Sequence, residues 1–278
     1  MDLSIIIAHY NPGNHPECVL SFKKTLDSIS SQRKDFKIEI IIADDGSLPN
    51  NSIQNKFSKK FNQNGRDIYL LQNSILKDFL KLHGLNDFPI DKWLYLPKKI
   101  KCMSKARVLN LATSLASSDN LFFLDDDNFF ISQDPITRIM KYFKKYQLII
   151  GQVKDSNNRL RTFSSKRVQG TTLGIKKDVL INAGEFGEWT ESVSCGVDSD
   201  LWWKLYKYFK KNESLKACFS SEIRTIDSCS KRWKPFINSF FRKRKLVKAF
   251  MKEHSCPNLN SVKHNPSRNK ENWITNLS

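Results

Sequence analysis

The sequence predicts an α/β fold with a mostly parallel central sheet flanked by helices. Two observations carry that expectation: a strand-helix-strand unit opens the chain, and two clusters of carboxylates stand directly after apolar runs. Leu3-Ser4-Ile5-Ile6-Ile7-Ala8 has the continuous apolar character of a strand buried on both faces, and Ile38 to Ala43 repeats it. Between them, Asn11-Pro12-Gly13 reads as a turn and Cys18 to Ser31 as an amphipathic helix. A unit of this kind has parallel strands joined by a right-handed crossover.

Asp67 to Leu71 reads as a third strand, and Asn73 to Leu96 as a polar-aromatic insertion without a readable pattern. Ala106, Leu109, Ala112 and Leu115 recur at helical spacing, which predicts a helix over Ser104 to Ser117 leading into the strand Leu121 to Leu124. Leu148 to Val153 and Gly170 to Ile175 read as further strands. A helix is expected from Val197, with Asp198 and Asp200 in its first turn, where carboxylates complement the helix dipole.

The chain has 278 residues, 40% of them hydrophobic, enough for one substantial core. No apolar run approaches the roughly 18 to 20 residues of a bilayer span, and no basic segment precedes the first strand as in a signal peptide. Six scattered cysteines without CxxC pairs are expected to be reduced thiols in a cytoplasmic setting. The net charge of +18 predicts attraction to polyanions, and the span 231–252 holds nine of the basic residues and no acidic one. From about residue 226 the composition turns basic and aromatic, which sets an expected division into 1–225 and a C-terminal extension, 226–278.

Asp125, Asp126 and Asp127 follow Leu121-Phe122-Phe123-Leu124. Three adjacent like charges at the edge of a core raise the free energy unless a cation answers them. Hard divalent ions such as Mn²⁺ or Mg²⁺ take oxygen ligands and share them with phosphates, so this strand end suggests a metal-phosphate site. A solvated acidic turn is the competing reading. Asp44-Asp45-Gly46-Ser47 ends the second strand, and ligands of such sheets bind beyond the carboxyl ends of the strands, so the two clusters are expected to share one crevice.

With Ser104-Lys105-Ala106-Arg107-Val108-Leu109-Asn110 between these clusters, and Gly184-Glu185-Phe186-Gly187-Glu188 and Gly196-Val197-Asp198-Ser199-Asp200-Leu201 after them, the chain resembles the family 2 glycosyltransferases of the GT-A fold over roughly residues 3 to 208. The resemblance implies an inverting, metal-dependent transferase that moves a sugar from a nucleotide diphosphate donor, a UDP-sugar above all, to a hydroxyl of a glycan or lipid-linked glycan. It makes Asp45 a donor-binding carboxylate, with Asp44 orienting the loop. Lys105 and Arg107 belong to the basic helix face under the donor diphosphate, or else to an ordinary solvated face. Asp125 and Asp127 match the DxD pair, Asp127 for direct metal contact and Asp125 for the ribose or a water-mediated contact.

Asp198 falls where the family places its catalytic base, and Asp200 is the alternative. Val197 stands where the pattern has Glu, which keeps open a catalytically inactive member that only binds a glycan or a partner. Trp189 and Trp202 are candidates for stacking on a sugar, and Trp203 for the core. His264-Asn265-Pro266-Ser267-Arg268 and Lys270-Glu271-Asn272 are similar to a late segment of the chondroitin polymerase-like branch, which makes His264 a candidate third metal ligand favouring Mn²⁺. A nucleic-acid-binding protein is the remaining alternative; the charge supports it, but no helix-turn-helix, zinc or aromatic-sheet pattern does. Trp233, Phe236, Ile237, Phe240, Phe241, Val247 and Met251 form a helical stripe beside basic residues, readable either as an anionic-membrane anchor or as core.

Overall fold

Apolar runs rich in isoleucine and phenylalanine form the centre of the sheet. The computed structural model describes residues 1–11, 15–32, 35–47, 56–97, 104–161, 170–228, 239–256 and 273–277, with 239–243 by backbone alone. Strands β1 (Leu3–His9), β2 (Ile38–Asp44) and β6 (Asn120–Asp125) lie side by side and parallel. Parallel strands covered on both faces need such runs, because neither face meets water. The pleat sends Ile5 and Ile7 to one face and Ile6 to the other.

The sheet has 11 strands, with β3 (Lys59–Gln63), β4 (Arg66–Leu71) and β5 (Lys92–Tyr95) extending one side. On the other stand β8 (Leu148–Lys154), β9 (Leu173–Lys176), β10 (Ala217–Asp227) and β11 (Ile274–Asn276), while β7 (Asn128–Phe130) pairs with β10. The order is β11-β10-β8-β9-β6-β1-β2-β5-β4-β3. β6-β1-β2-β5 is parallel as expected, but β9 runs antiparallel to both its neighbours, as do β3 and β4 to theirs, so the whole sheet is mixed.

Helices α1 (Pro16–Ser30), α2 (Asn73–Leu82) and α4 (Pro135–Phe143) pack on the Ile5 face through Phe22, Leu26, Phe79 and Ile139. Helices α3 (Lys105–Leu115), α5 (Lys177–Ala183) and α6 (Val197–Lys211) cover the other through Leu109, Leu180, Leu201 and Trp202. Each fully buried aliphatic side chain contributes about 1.5–3 kcal/mol, and that sum offsets the cost of holding carboxylates at the sheet edge. The stretch 73–96, unreadable in the sequence, is α2 followed by β5, and β5 brings Trp93 beside Asp44.

The compositional boundary at 226 falls inside β10, and β11 adds a strand beyond it. Helix α7 (Ser239–Glu253) packs on the 3-10 helix Glu188–Val193. Its inward residues are Leu246 and Phe250, which the expected stripe omitted, with Val247 and Met251 partly buried beside them. Arg244, Lys245, Lys248 and Lys252 face outward. Trp233, Phe236 and Ile237 lie outside the described residues. Among the described residues no helix is long and apolar enough to cross a membrane.

Phe250 is only 1% exposed, so we predict that Phe250→Ala weakens the docking of α7 by about 3–5 kcal/mol. Limited trypsinolysis should then cut at Lys245 or Lys248 much faster than in the wild type; unchanged cleavage would show that Phe250 does not hold the helix.

Candidate active site

Strand register brings the acidic clusters together. Asp125 pairs with Ala8, and Asp44 with the next residue of β1, His9, so β2 and β6 deliver their carboxylates to one edge. Each carboxylate there has its own answer. Asp126 turns inward, 2.6 Å from His9 Nδ1, and accepts the Tyr10 amide at 3.2 Å; His9 and Asp126 are 8% and 2% exposed. His9 in turn stacks on Phe22 and meets Trp93 edge-on. Asp44 accepts from Trp93 Nε1 at 3.2 Å and from the Ser47 amide at 2.8 Å, closing the turn after β2. Burial pushes the Asp44 carboxyl above its ordinary value, against the charge of His9 and these hydrogen bonds.

Asp45 accepts the Ser104 amide with both oxygens, at 3.1 and 3.0 Å. Ser104 immediately precedes α3, so Asp45 satisfies an amide at a helix start, where the dipole favours an anion. The Ser104 hydroxyl donates to Glu191 at 3.0 Å, which fixes the start of α3 from a second direction.

Lys105, the next residue, places its ammonium 2.5 Å from Asp125 Oδ1. Burial alone would lower its pKa, but the charges of Asp125, Asp198 and Asp127 hold it above the ordinary lysine value. The ammonium thus ties the start of α3 to the end of β6. Asp127 accepts from Asn128 Nδ2 at 3.0 Å, while its backbone carbonyl binds the Ser228 amide and hydroxyl. Asp198 lies against Gly170, where a Cβ would stand 2.0 Å from its Oδ1, so only glycine allows this approach. Burial pushes the Asp198 carboxyl up; Lys105 and Arg161 oppose that shift and Asp125 adds to it.

Two candidates face elsewhere. Arg107 binds Glu191 at 3.1 and 3.2 Å, Glu188 at 3.0 Å and the Gln63 carbonyl at 2.8 Å, so its guanidinium joins α3 to the 3-10 helix and β3 and is committed away from a diphosphate. Arg66 also pairs with Glu191. Asp200 is fully buried and engages Lys204 at 2.8 Å, His254 Nε2 at 2.8 Å and Trp189 Nε1 at 2.9 Å. A carboxylate so enclosed cannot reach an acceptor hydroxyl, which removes Asp200 from the candidate bases. Trp202 is core, packed on Trp273, and Trp189 packs edge-on to Phe250. His264 lies outside the described residues; among those described, His254 returns from the C-terminal region to a carboxylate, Asp200. Among the described residues no group of three or more His, Cys, Asp or Glu side chains is arranged to hold a metal ion.

Sequence reading passed over His9, Glu191, Arg161 and His254. His9 carried a signal, a polar residue ending the apolar run of β1; Glu191 and His254 act on Arg107 and Asp200 across 84 and 54 residues, and Arg161 reaches Asp227 across 66 besides its near neighbour Asp155.

The large central sheet with helices on both faces is a GT-A-type fold. Among the similar solved structures are the mannosyltransferase PcManGT from Pyrobaculum calidifontis in complex with GDP-Man and Mn²⁺ (TM-score 0.53, 16% identity, 98% of this chain and 70% of that chain) and S. aureus TarS (TM-score 0.51, 13% identity, 92% of this chain). The chain spans 44% of the TarS chain; for TarS 1-349 in complex with UDP-GlcNAc the TM-score is 0.50 at 13% identity, over 94% of this chain and 75% of that chain. At these identities the likeness is one of fold, and it does not single out the chondroitin polymerase-like branch. No protein-family model and no curated protein matches the sequence.

Hydrogen bonds from His254, Lys204 and Trp189 hold the Asp200 carboxyl below its ordinary value, although burial opposes them. A depressed carboxyl contributes stability above the ordinary Asp value of about 3.9 and loses it as pH falls further. Denaturation midpoints should therefore decline below about pH 4 in the wild type. Asp200→Asn should lose about 3–5 kcal/mol at neutral pH and show a shallower acid decline; a variant as stable as the wild type would mean that the cluster does not support the fold.

Proposed function

We propose that the chain is an inverting, metal-dependent glycosyltransferase that transfers a hexosyl group from a nucleotide diphosphate sugar, a UDP-sugar above all, to a hydroxyl of a glycan or lipid-linked glycan. The supporting observation is the Lys105 ammonium paired with Asp125 where the parallel strands end, within the electrostatic reach of Asp127 and Asp198. The nucleotide sugars and Mn²⁺ bound by the similar structures agree with this reading.

Asp45 and Asp125 take the nucleoside, and Lys105 faces the diphosphate. Asp198 accepts the proton of the acceptor hydroxyl as its oxygen attacks the anomeric carbon. The bond from that carbon to the diphosphate oxygen breaks on the opposite side, which inverts the centre. The oxygen donors fit a divalent cation, since a lysine ammonium already stands among them; Asp125 and Asp127 would hold it, with His264 as a further ligand favouring Mn²⁺. When bound, it supplies neutralisation of charge on the departing diphosphate. The outward basic face of α7 supports an anionic membrane surface, on the cytoplasmic side, as a further partner, each cation near the leaflet contributing on the order of 1 kcal/mol.

Donor hydrolysis with Mn²⁺ tests the chemistry without knowledge of the acceptor. Asp127→Ala should abolish it, and Asp198→Asn should lower transfer by roughly 10²-fold with donor affinity retained. Only ionised Asp198 accepts a proton and its pKa is raised, so activity should fall with pH at values above the ordinary Asp range. Near-normal turnover in either variant overturns the assignment. Nucleotide binding without turnover of any donor would favour the inactive reading that Val197 keeps open.

Co-sedimentation with anionic vesicles should be salt-sensitive and should drop severalfold in Lys245→Glu/Lys248→Glu. Equal binding by that variant removes α7 from the interface.

A further inference from the structure

We propose that Lys105 is an exchangeable internal counter-cation, occupying the divalent-metal position of the resting protein and leaving Asp125 when a metal ion binds. The inference rests on the metal-dependent reading above and adds a role for one side chain. Its backbone is fixed: Ser104 is held through its amide by Asp45 and through its hydroxyl by Glu191, so the root of Lys105 cannot drift. Its head is less confined, since Lys105 and Asp125 are 20% and 31% exposed. An incoming ion therefore has access to the very oxygen the ammonium holds.

The resting site needs such a cation. The Lys105 ammonium sits on Asp125 Oδ1 at the end of β6, two residues from Asp127, so it is the cation that answers this strand-end cluster. Lysine suits a temporary occupant because its ammonium is a compact point charge on a flexible stem. Arginine would form a planar, bidentate and more persistent pair. A monovalent ammonium and a divalent ion cannot share Asp125 without strong mutual repulsion, so binding of one displaces the other. The freed ammonium then lies beside the site of the donor diphosphate, which gains negative charge beyond the two that a divalent ion neutralises as the bond to the anomeric carbon breaks.

Mn²⁺ binding without nucleotide, followed by the electron paramagnetic resonance of free Mn²⁺, tests the exchange. Lys105→Met keeps the stem and removes the charge. We expect it to bind Mn²⁺ about tenfold more tightly than the wild type, to melt at a lower temperature without metal, and to recover that loss when Mn²⁺ is added. Lys105→Arg should bind Mn²⁺ more weakly than the wild type. If Lys105→Met binds Mn²⁺ no more tightly than the wild type, the exchange is overturned and the metal reading stands. If none of the three proteins binds Mn²⁺, with or without UDP, both fall. Should Lys105→Met not fold, Lys105→Arg decides, and an affinity equal to the wild type overturns the proposal.

Discussion

Carboxylates crowd the edge where β1, β2 and β6 end, and the surrounding structure answers each charge separately. Leaving a buried polar group unsatisfied costs about 1–3 kcal/mol, more when it is charged, so unanswered charges here would consume much of the stability of a domain. Asp126 is answered by His9, Asp44 by Trp93 and the Ser47 amide, Asp45 by the start of α3, and Asp125 by Lys105. The answers come from four different elements. Holding the carboxylates at this edge therefore requires β1, β5, α3 and the turn after β2 to keep their relative positions.

The start of α3 is where these demands meet. Ser104 is gripped by Asp45 through its amide and by Glu191 through its hydroxyl, and Glu191 also binds Arg107 and Arg66. Lys105 and Arg107, two residues apart on one helix, diverge: the first serves the strand-end carboxylates, the second the 3-10 helix. A helix start fixed on two sides gives a flexible side chain a constant origin, and that suits a residue whose head group meets more than one partner.

The C-terminal residues are part of this arrangement. β11 extends the sheet, and α7 closes over the 3-10 helix, with Leu246 filling the space beside Gly196 and His254 reaching Asp200. Gly196 adopts φ +94 and a Cβ there would stand 2.4 Å from Leu246, so the start of α6, which carries Asp198, is shaped by α7. The charge excess of the chain is carried partly on the outer face of the same helix. One helix thus contributes packing on its inner side and a basic surface on its outer side.

The sequence by itself determined the central strands, the crossover helix and the strand-end positions of Asp44, Asp45 and Asp125 to Asp127. Those are written in local signals: apolar runs of strand length, a 3.6-residue period, and polar residues that end them. It did not determine which way each charge turns. Arg107 and Asp200 lie in recognisable motifs, yet their partners Glu188, Glu191 and His254 arrive from other elements, and pairing across such separations leaves no local period. The stretch 73–96 hid α2 and β5 because α2 combines a short apolar face with many charges, and β5 is only 4 residues long. For α7, amphipathicity was visible, but the choice of Leu246 and Phe250 as the buried pair needed the surface on which they pack. Tertiary structure decided these points because a charge or an aromatic ring takes its role from its partner, and these partners are distant in the chain.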